Sequence, residues 1–309
     1  MADSTIQAAV PEVLASGARP GRLTRFLRDA ARWLGIVPFG LYVALGLIAP
    51  MIAIAIAAFK TNAGGFTLSN IDAAVHGTDF IGLRNSIVLS IATAIVPGIF
   101  GLLIAYAIST AQRGGAVLRR VVMTASGVFA NFGGVPLAFL FIATLSTTGV
   151  VTNWIKDVSN FDIWNHGFSL YNPYGVAVVY MYFQIPLMVL VILPALEGLR
   201  PAWREAAQNM GAGSWQYWRY VGGPVLLPAF LGCLLLLFGS ALSAYATAEA
   251  LTGGTVALTP IQIGAFLNGN VLAGDENLGY ALGLIMVVII AIVMIIYTFL
   301  QRRAARWLR

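Results

Sequence analysis

Few side chains in this sequence are placed to do covalent chemistry. The two histidines, His76 and His166, stand far apart and lack metal-ligand spacing, so they read as surface residues. The single cysteine, Cys233, lies inside an apolar run, which excludes a cysteine metal site or a disulfide framework on this chain and suits a small buried hydrophobe. The glycine pairs Gly64-Gly65, Gly114-Gly115 and Gly253-Gly254 are not followed by Lys-Ser/Thr, so none is a phosphate-binding loop and no nucleotide cofactor is expected on this chain. Catalysis would need acids, histidines or a metal set gathered at one place, and the sequence gathers none. What remains are polar groups embedded in apolar runs, namely Asn131, Gln184, Ser240, Ser243, Tyr245 and Thr247. There is also one unusual connecting segment, residues 197–228, with Glu205 at its centre.

The elements that must position these groups follow from composition. Hydrophobic residues make up 59% of the 309 and charged residues only 10%, whereas a soluble domain carries about 25% charged residues. Six stretches are long and apolar enough to cross a bilayer as helices, which takes about 20 residues each. They are Leu34 to Phe59, Ser86 to Ala111, Val121 to Leu145, Tyr174 to Leu196, Gly223 to Thr247 and Tyr280 to Leu300, and none contains Asp, Glu, Lys or Arg. The sequence therefore predicts an all-α membrane protein with six transmembrane helices. Prolines 38, 50, 97, 136, 186 and 194 lie within or near the spans and predict kinks or ordinary close packing.

Charge orients the spans. One set of connecting segments holds only Lys60, Arg84 and Lys156, and every other Lys and Arg lies in the opposite set. Basic residues are retained on the cytoplasmic side, so both termini are expected there. Residues 1–33 form a separate cytoplasmic region, with a polar tail to about residue 20. From 22 to 33, Arg22, Arg25, Arg28 and Arg32 recur at helical spacing opposite Leu23, Phe26 and Leu27, as in a helix lying on the inner leaflet of the lipid bilayer. A cleavable signal peptide is disfavoured by the length of the first apolar run. Residues 34–309 form the membrane domain. The net charge of +6 does not imply nucleic acid, because the basic residues flank spans instead of forming one face.

The segment after the fourth span reads as helix, turn, helix. Pro201 suits a first helical turn, Glu205 to Met210 favours helix, Gly211 suits a C-terminal stop, and a second short helix can run from Ser214 to Tyr220. Trp203, Met210, Trp215, Tyr217 and Trp218 give it an aromatic surface for lipid headgroups or a soluble partner. Its pattern is Glu205-Ala206-Ala207, three residues, Gly211, nine residues, Val221, one residue, Gly223-Pro224. This resembles the signature of the inner-membrane permeases of binding-protein-dependent ABC importers: Glu-Ala-Ala, three residues, Gly, nine residues, Ile, one residue, Leu-Pro. Val221 and Gly223 depart from it.

The resemblance implies a type I ABC importer permease fold, with a cytoplasmic coupling loop at 197–222 between the fourth and fifth spans. It implies that Glu205, Ala206, Ala207, Gly211 and Pro224 couple the spans to an ATPase, the small alanines allowing a close fit. The implied partners are a second permease subunit, identical or homologous, two ATPase subunits that bind ATP and Mg, and an extracytoplasmic solute-binding protein.

Gly82-Leu83-Arg84-Asn85-Ser86, Asn131-Phe-Gly-Gly-Val-Pro136, Leu251 to Gly264 and Gly279 to Gly283 look like the spermidine/putrescine branch; permeases for phosphonate, iron and thiamine share that layout. Acidic residues between spans on the outer side, among them Asp72, Asp79, Asp157, Asp162 and Glu249, suit a cationic solute or a basic binding-protein surface, and are equally the converse of the basic inner side. Asn131, Gln184, Ser240, Ser243 and Tyr245 are candidates to line a translocation pathway, with hydrogen bonding between helices as the alternative for each. An ion-driven secondary transporter is disfavoured, because such proteins place Asp, Glu or His in the bundle as a relay, and these spans hold none.

Overall fold

The computed structural model describes residues 37–61, 64–77, 79–111, 115–268 and 276–307, with residues 303–307 described by backbone only. The expected tail and the basic surface helix at 22–33 lie outside the described residues. The chain divides into two units, residues 1–53 and 54–309.

The described part of the first unit is the beginning of helix α1 (Val37–Ala58). Five residues of it, Ala44–Ile48, are π-helical. Pro50 has no N–H to donate to the carbonyl of Gly46, and the chain takes up the lost bond as a wider turn just before it.

In the second unit, α2 (Ser69–His76), α3 (Phe80–Thr110) and α4 (Gly115–Asn131) are followed by α5 (Val135–Leu145) and α6 (Val150–Ser159). Then come α7 (Pro173–Glu197), α8 (Pro201–Asn209), α9 (Ser214–Leu242), α10 (Ala246–Thr252), α11 (Thr259–Leu267) and α12 (Glu276–Trp307). Among the described residues, six segments are long and apolar enough to cross a membrane: α1, α3, α5 with α6, α7, α9, and α12 as far as Arg302. Several helices overrun the expected spans, so Arg84, Glu197, Arg219, Glu276 and Arg302 sit near the ends of the apolar segments. A long helix reaches past the hydrocarbon core, and its ends can carry charge in the headgroup layer.

The third span differs from expectation. Val121 to Leu145 is not one helix: it breaks at residues 132–134 into α4 and α5. Gly134 has φ +74, which only glycine adopts readily, and Pro136 in the first turn of α5 lacks a donor that a continuous helix would need. The long apolar segment here is Val135–Ser159, which takes in a short turn at 146–149 and the charged Lys156 and Asp157. The fifth span also differs. The short helix expected at Ser214 is continuous with it through a π-helical stretch, Trp218–Gly222, and the helix stops at Leu242 before a break and α10.

Helix α3 packs along α7, and α9 lies against both α3 and α12. Apolar contact with lipid tails gives helices no hydrophobic reason to associate, so close steric fit must hold them together. Gly101 shows how close that fit is: a Cβ there would lie 2.5 Å from Met188 Cβ and 3.0 Å from the Ile185 carbonyl. One buried cluster, with Ala105, Met188, Ile192, Leu193 and Leu237, fills the end of the unit nearest α8. A second, with Leu137, Val176, Tyr180, Leu251 and Leu258, fills the region where α5 and α10 meet.

Candidate functional site: a capped helix and two broken spans

Helix α8 is a short amphipathic segment fixed at both ends by its own sequence. Pro201 occupies its first turn. At the other end Gly211 takes φ +78, the Gly211 N–H donates to the Gln208 carbonyl at 2.9 Å, and the Ala212 N–H donates to the Ala207 carbonyl at 2.9 Å. This pair of bonds is the Schellman arrangement, which satisfies carbonyls that the helix end would otherwise leave open. Next, Gln216 folds back so that its Oε1 accepts from the Gly213 N–H at 2.8 Å, which starts α9.

The register of α8 sorts the motif residues. Ala207 is buried and Trp203, one turn earlier, is half-buried; Ala202, Glu205, Ala206 and Asn209 form the opposite, exposed face. Met210, Trp215 and Tyr220, in the residues that follow, have 80%, 75% and 72% of their surfaces exposed. The result is an exposed face with two alanines and one carboxylate, followed in the chain by exposed apolar side chains, a surface that can meet another protein. Pro224 does not lie on this face. It stands in α9, where its missing donor coincides with the π-helical stretch just before it. At the junction with α7, Arg119 of α4 donates from Nε to Glu197 Oε1 at 2.6 Å and from Nη2 to Oε2 at 3.0 Å, a fork that ties the last residue of α7 to α4. Nothing local in the sequence paired these two residues.

The second candidate set divides. The breaks in the third and fifth spans come together: the Gly134 N–H donates to Thr247 Oγ1 at 2.8 Å, and α5 packs on α10. Asn131, the last residue of α4, donates to the Gly127 carbonyl at 2.8 Å and is exposed. Ser243 donates to the carbonyls of Gly239 and Ser240, while Tyr245, 38% exposed, lies over Gly264, where a Cβ would come within 2.9 Å of its hydroxyl. Ser240 is half-buried one turn below. Gln184 is not part of this open region. It is fully buried between α7 and α9, donates to the Leu237 carbonyl at 2.9 Å, and leaves its Oε1 without a partner.

Sequence reasoning missed Tyr180, whose hydroxyl donates to the Ala244 carbonyl at 2.6 Å and anchors the break in the fifth span. Its signal was its place one helical turn before Gln184, on the same face of an apolar helix. Glu249 of α10 lies one turn after Tyr245 on the less covered face, and its Oε2 is occluded without a hydrogen-bond partner.

Six apolar spans, two of them interrupted, with a capped amphipathic helix between the fourth and fifth, define the permease fold of ABC importers. Crystal structures of a bacterial ABC transporter involved in the import of the acidic polysaccharide alginate share it. One gives a TM-score of 0.65 at 20% identity, covering 93% of this chain and 99% of that one. Another, in complex with an alginate pentasaccharide-bound periplasmic protein, gives 0.69 at 19%, covering 93% and 98%. Residues 98–306 match the family described as binding-protein-dependent transport system inner membrane component, and the chain belongs to that family.

The sulfate transport system permease protein CysT of Escherichia coli is 31% identical over 153 residues, 49% of this chain and 51% of that one. The thiamine transport system permease protein ThiP of Brucella abortus is 26% identical over 250 residues, 78% of this chain and 42% of that one. The chain thus spans about half the length of the curated relatives it matches. These relatives carry the names of sulfate and thiamine, and the expected polyamine branch finds no support among them.

Proposed function

We propose that this chain is the membrane-spanning permease subunit of an ATP-driven importer for a small polar solute. The observation that carries this reading is the exposed face of α8. Glu205 and Ala206 point out of the chain, Ala207 anchors the helix inward, and Gly211 ends it in a left-handed turn. In this reading the loop at 197–222 and both termini are cytoplasmic, consistent with the basic residues that flank them. Two such permeases, identical or homologous, would each seat α8 in one of two ATPase subunits, which bind ATP and Mg, while an extracytoplasmic binding protein delivers solute. Closure of the ATPases would draw the paired α8 helices together and switch the spans between two packed states.

The test is co-purification. Ala206→Trp places a large ring on the exposed face without touching the buried one, and Glu205→Arg reverses the only carboxylate there. Both variants should stay folded and lose the ATPase by at least about tenfold, the loss expected when one central contact is removed. Full retention of the ATPase by both, with undiminished uptake, would overturn the assignment.

For the solute, Glu249, which follows Tyr245 by one turn and has no ion pair among the described residues, favours a cation over an oxyanion such as sulfate, since a carboxyl group offers acceptor oxygens to a cation. Polyamines and thiamine both satisfy that chemistry. Competition uptake with putrescine, thiamine and sulfate distinguishes them: Glu249→Gln should weaken uptake of the cation, and uptake of sulfate alone would sink the cation reading.

A further inference from the structure

Between α8 and the spans lies a cavity of about 360 Å3, lined by the ends of α3 and α7, the link to α8 and the start of α9. Its walls are of two kinds. Tyr106, Leu196, Leu199 and Trp218 make an apolar side, with Tyr106 and Trp218 edge to face at 5.4 Å. Arg200 and Arg204 make a basic side. The one carboxylate in the lining, Glu197, is already engaged by both arms of the Arg119 fork. Among the described residues neither Arg200 nor Arg204 has an ion pair, and the Trp203 ring lies beneath the Arg200 guanidinium at 5.9 Å. The hydroxyls of Ser109 and Thr110 also line the cavity. Each donates to the Tyr106 carbonyl, so their protons are engaged within α3 and the two arginines supply the charged donors of the lining.

We propose that this cavity binds a phosphate ester, and that its principal source is the headgroup of an anionic phospholipid. Two guanidiniums that have no carboxylate partner among the described residues attract a phosphate oxygen set, and guanidinium geometry matches it in two-pronged fashion. The cavity stands where α3 and α7 end, the level at which Tyr and Trp side chains and lipid headgroups meet. Its apolar wall suits the glycerol and first methylenes of a lipid, and basic pockets between spans recognise acidic headgroups through the same chemistry. The volume is that of a headgroup, at the lower end of small-ligand sites. Because Arg200 and Arg204 bracket the first turn of α8, a bound headgroup fixes the angle at which that helix leaves the membrane.

The experiment uses the full chain purified with its co-purifying subunits, and native mass spectrometry of retained phosphatidylglycerol against phosphatidylcholine. The Arg200→Gln/Arg204→Gln double variant should retain about thirtyfold less phosphatidylglycerol, each basic residue near a headgroup contributing about fivefold. Arg200→Lys/Arg204→Lys should keep most of it, which separates lost charge from lost fold, and Arg219→Gln, outside the lining, should bind as the parent does. Addition of inorganic phosphate separates the sources. Lipid retained in its presence supports the headgroup, and displacement of lipid by phosphate supports the same site with a soluble phosphate as competitor. Equal phosphatidylglycerol retention by parent and double Gln variant, with no effect of phosphate, overturns the proposal.

Discussion

The two ends of the second unit solve the problem of interrupted helices differently. At the α8 end the interruption is closed by neighbours in sequence: Gly211, Ala212 and Gln216 satisfy the backbone within a few residues, and the exposed face stays free for a partner. At the broken spans the closure comes from far away. Gly134 depends on Thr247, and the break after Leu242 depends on Tyr180. A locally closed element can move as a rigid piece, while one closed by distant groups couples the helices it joins. That contrast is what the proposed function asks for, in which α8 would receive motion and the broken spans would respond to it.

The contrast can be broken by changing one group at each end. Thr247→Val keeps shape but removes the acceptor for the Gly134 N–H, and it should destabilise the whole unit by about 1–3 kcal/mol, the cost of an orphaned buried donor. Thermal unfolding in detergent measures it, and a change confined to uptake would show that the two breaks are not structurally coupled. Gly211→Ala forces a Cβ into φ +78, costing about 1–2 kcal/mol. Its effect should appear as weaker ATPase retention with nearly parental unfolding, because α8 is closed locally. Gln184→Leu removes one bond between α7 and α9 along with the unpartnered Oε1. The stability change should be about 0.6 kcal/mol, the mean for such bonds between membrane helices. A large drop in uptake at unchanged stability would return Gln184 to the pathway.

The smallest effect concerns pH. The Lys156 ammonium, donating at 3.2 Å, holds the Asp162 carboxyl below its ordinary value of 3.8, with further help from the bonds of Trp164 and Asn165. A lowered pKa means that these contacts stabilise above the ordinary value and are lost as pH falls through the lowered one. The loop at 160–168 should therefore loosen only in acid below about 3.8, and Asp162→Asn should remove that step from a titration followed by Trp164 fluorescence.

Much of this was legible in the sequence because the forces are local. Apolar length placed four of the spans to within several residues, while the fifth begins at Ser214 instead of Gly223 and ends at Leu242 instead of Thr247; Pro201, Gly211 and their spacing placed α8 and its cap. The third span reads as one helix because hydropathy continues smoothly through Phe132-Gly133-Gly134-Val135, and apolar side chains say nothing about a left-handed glycine. Gln184 looked like Asn131 by type, yet one is sealed between helices and the other stands at an open break. Sequence had no means to tell them apart, since burial there depends on which helices pack together.

The sequence by itself determined that this chain carries membrane-spanning helices, where α8 begins and ends, and which residues match the motif. These follow from transfer free energy and from hydrogen bonds between near neighbours. Only the tertiary structure decided that Ala207 turns inward while Glu205 and Ala206 turn out, that the two broken spans meet at Gly134 and Thr247, and that Arg119 engages Glu197 and leaves Arg200 and Arg204 facing a cavity. Each of those depends on contacts between residues distant in the chain, which no local periodicity encodes.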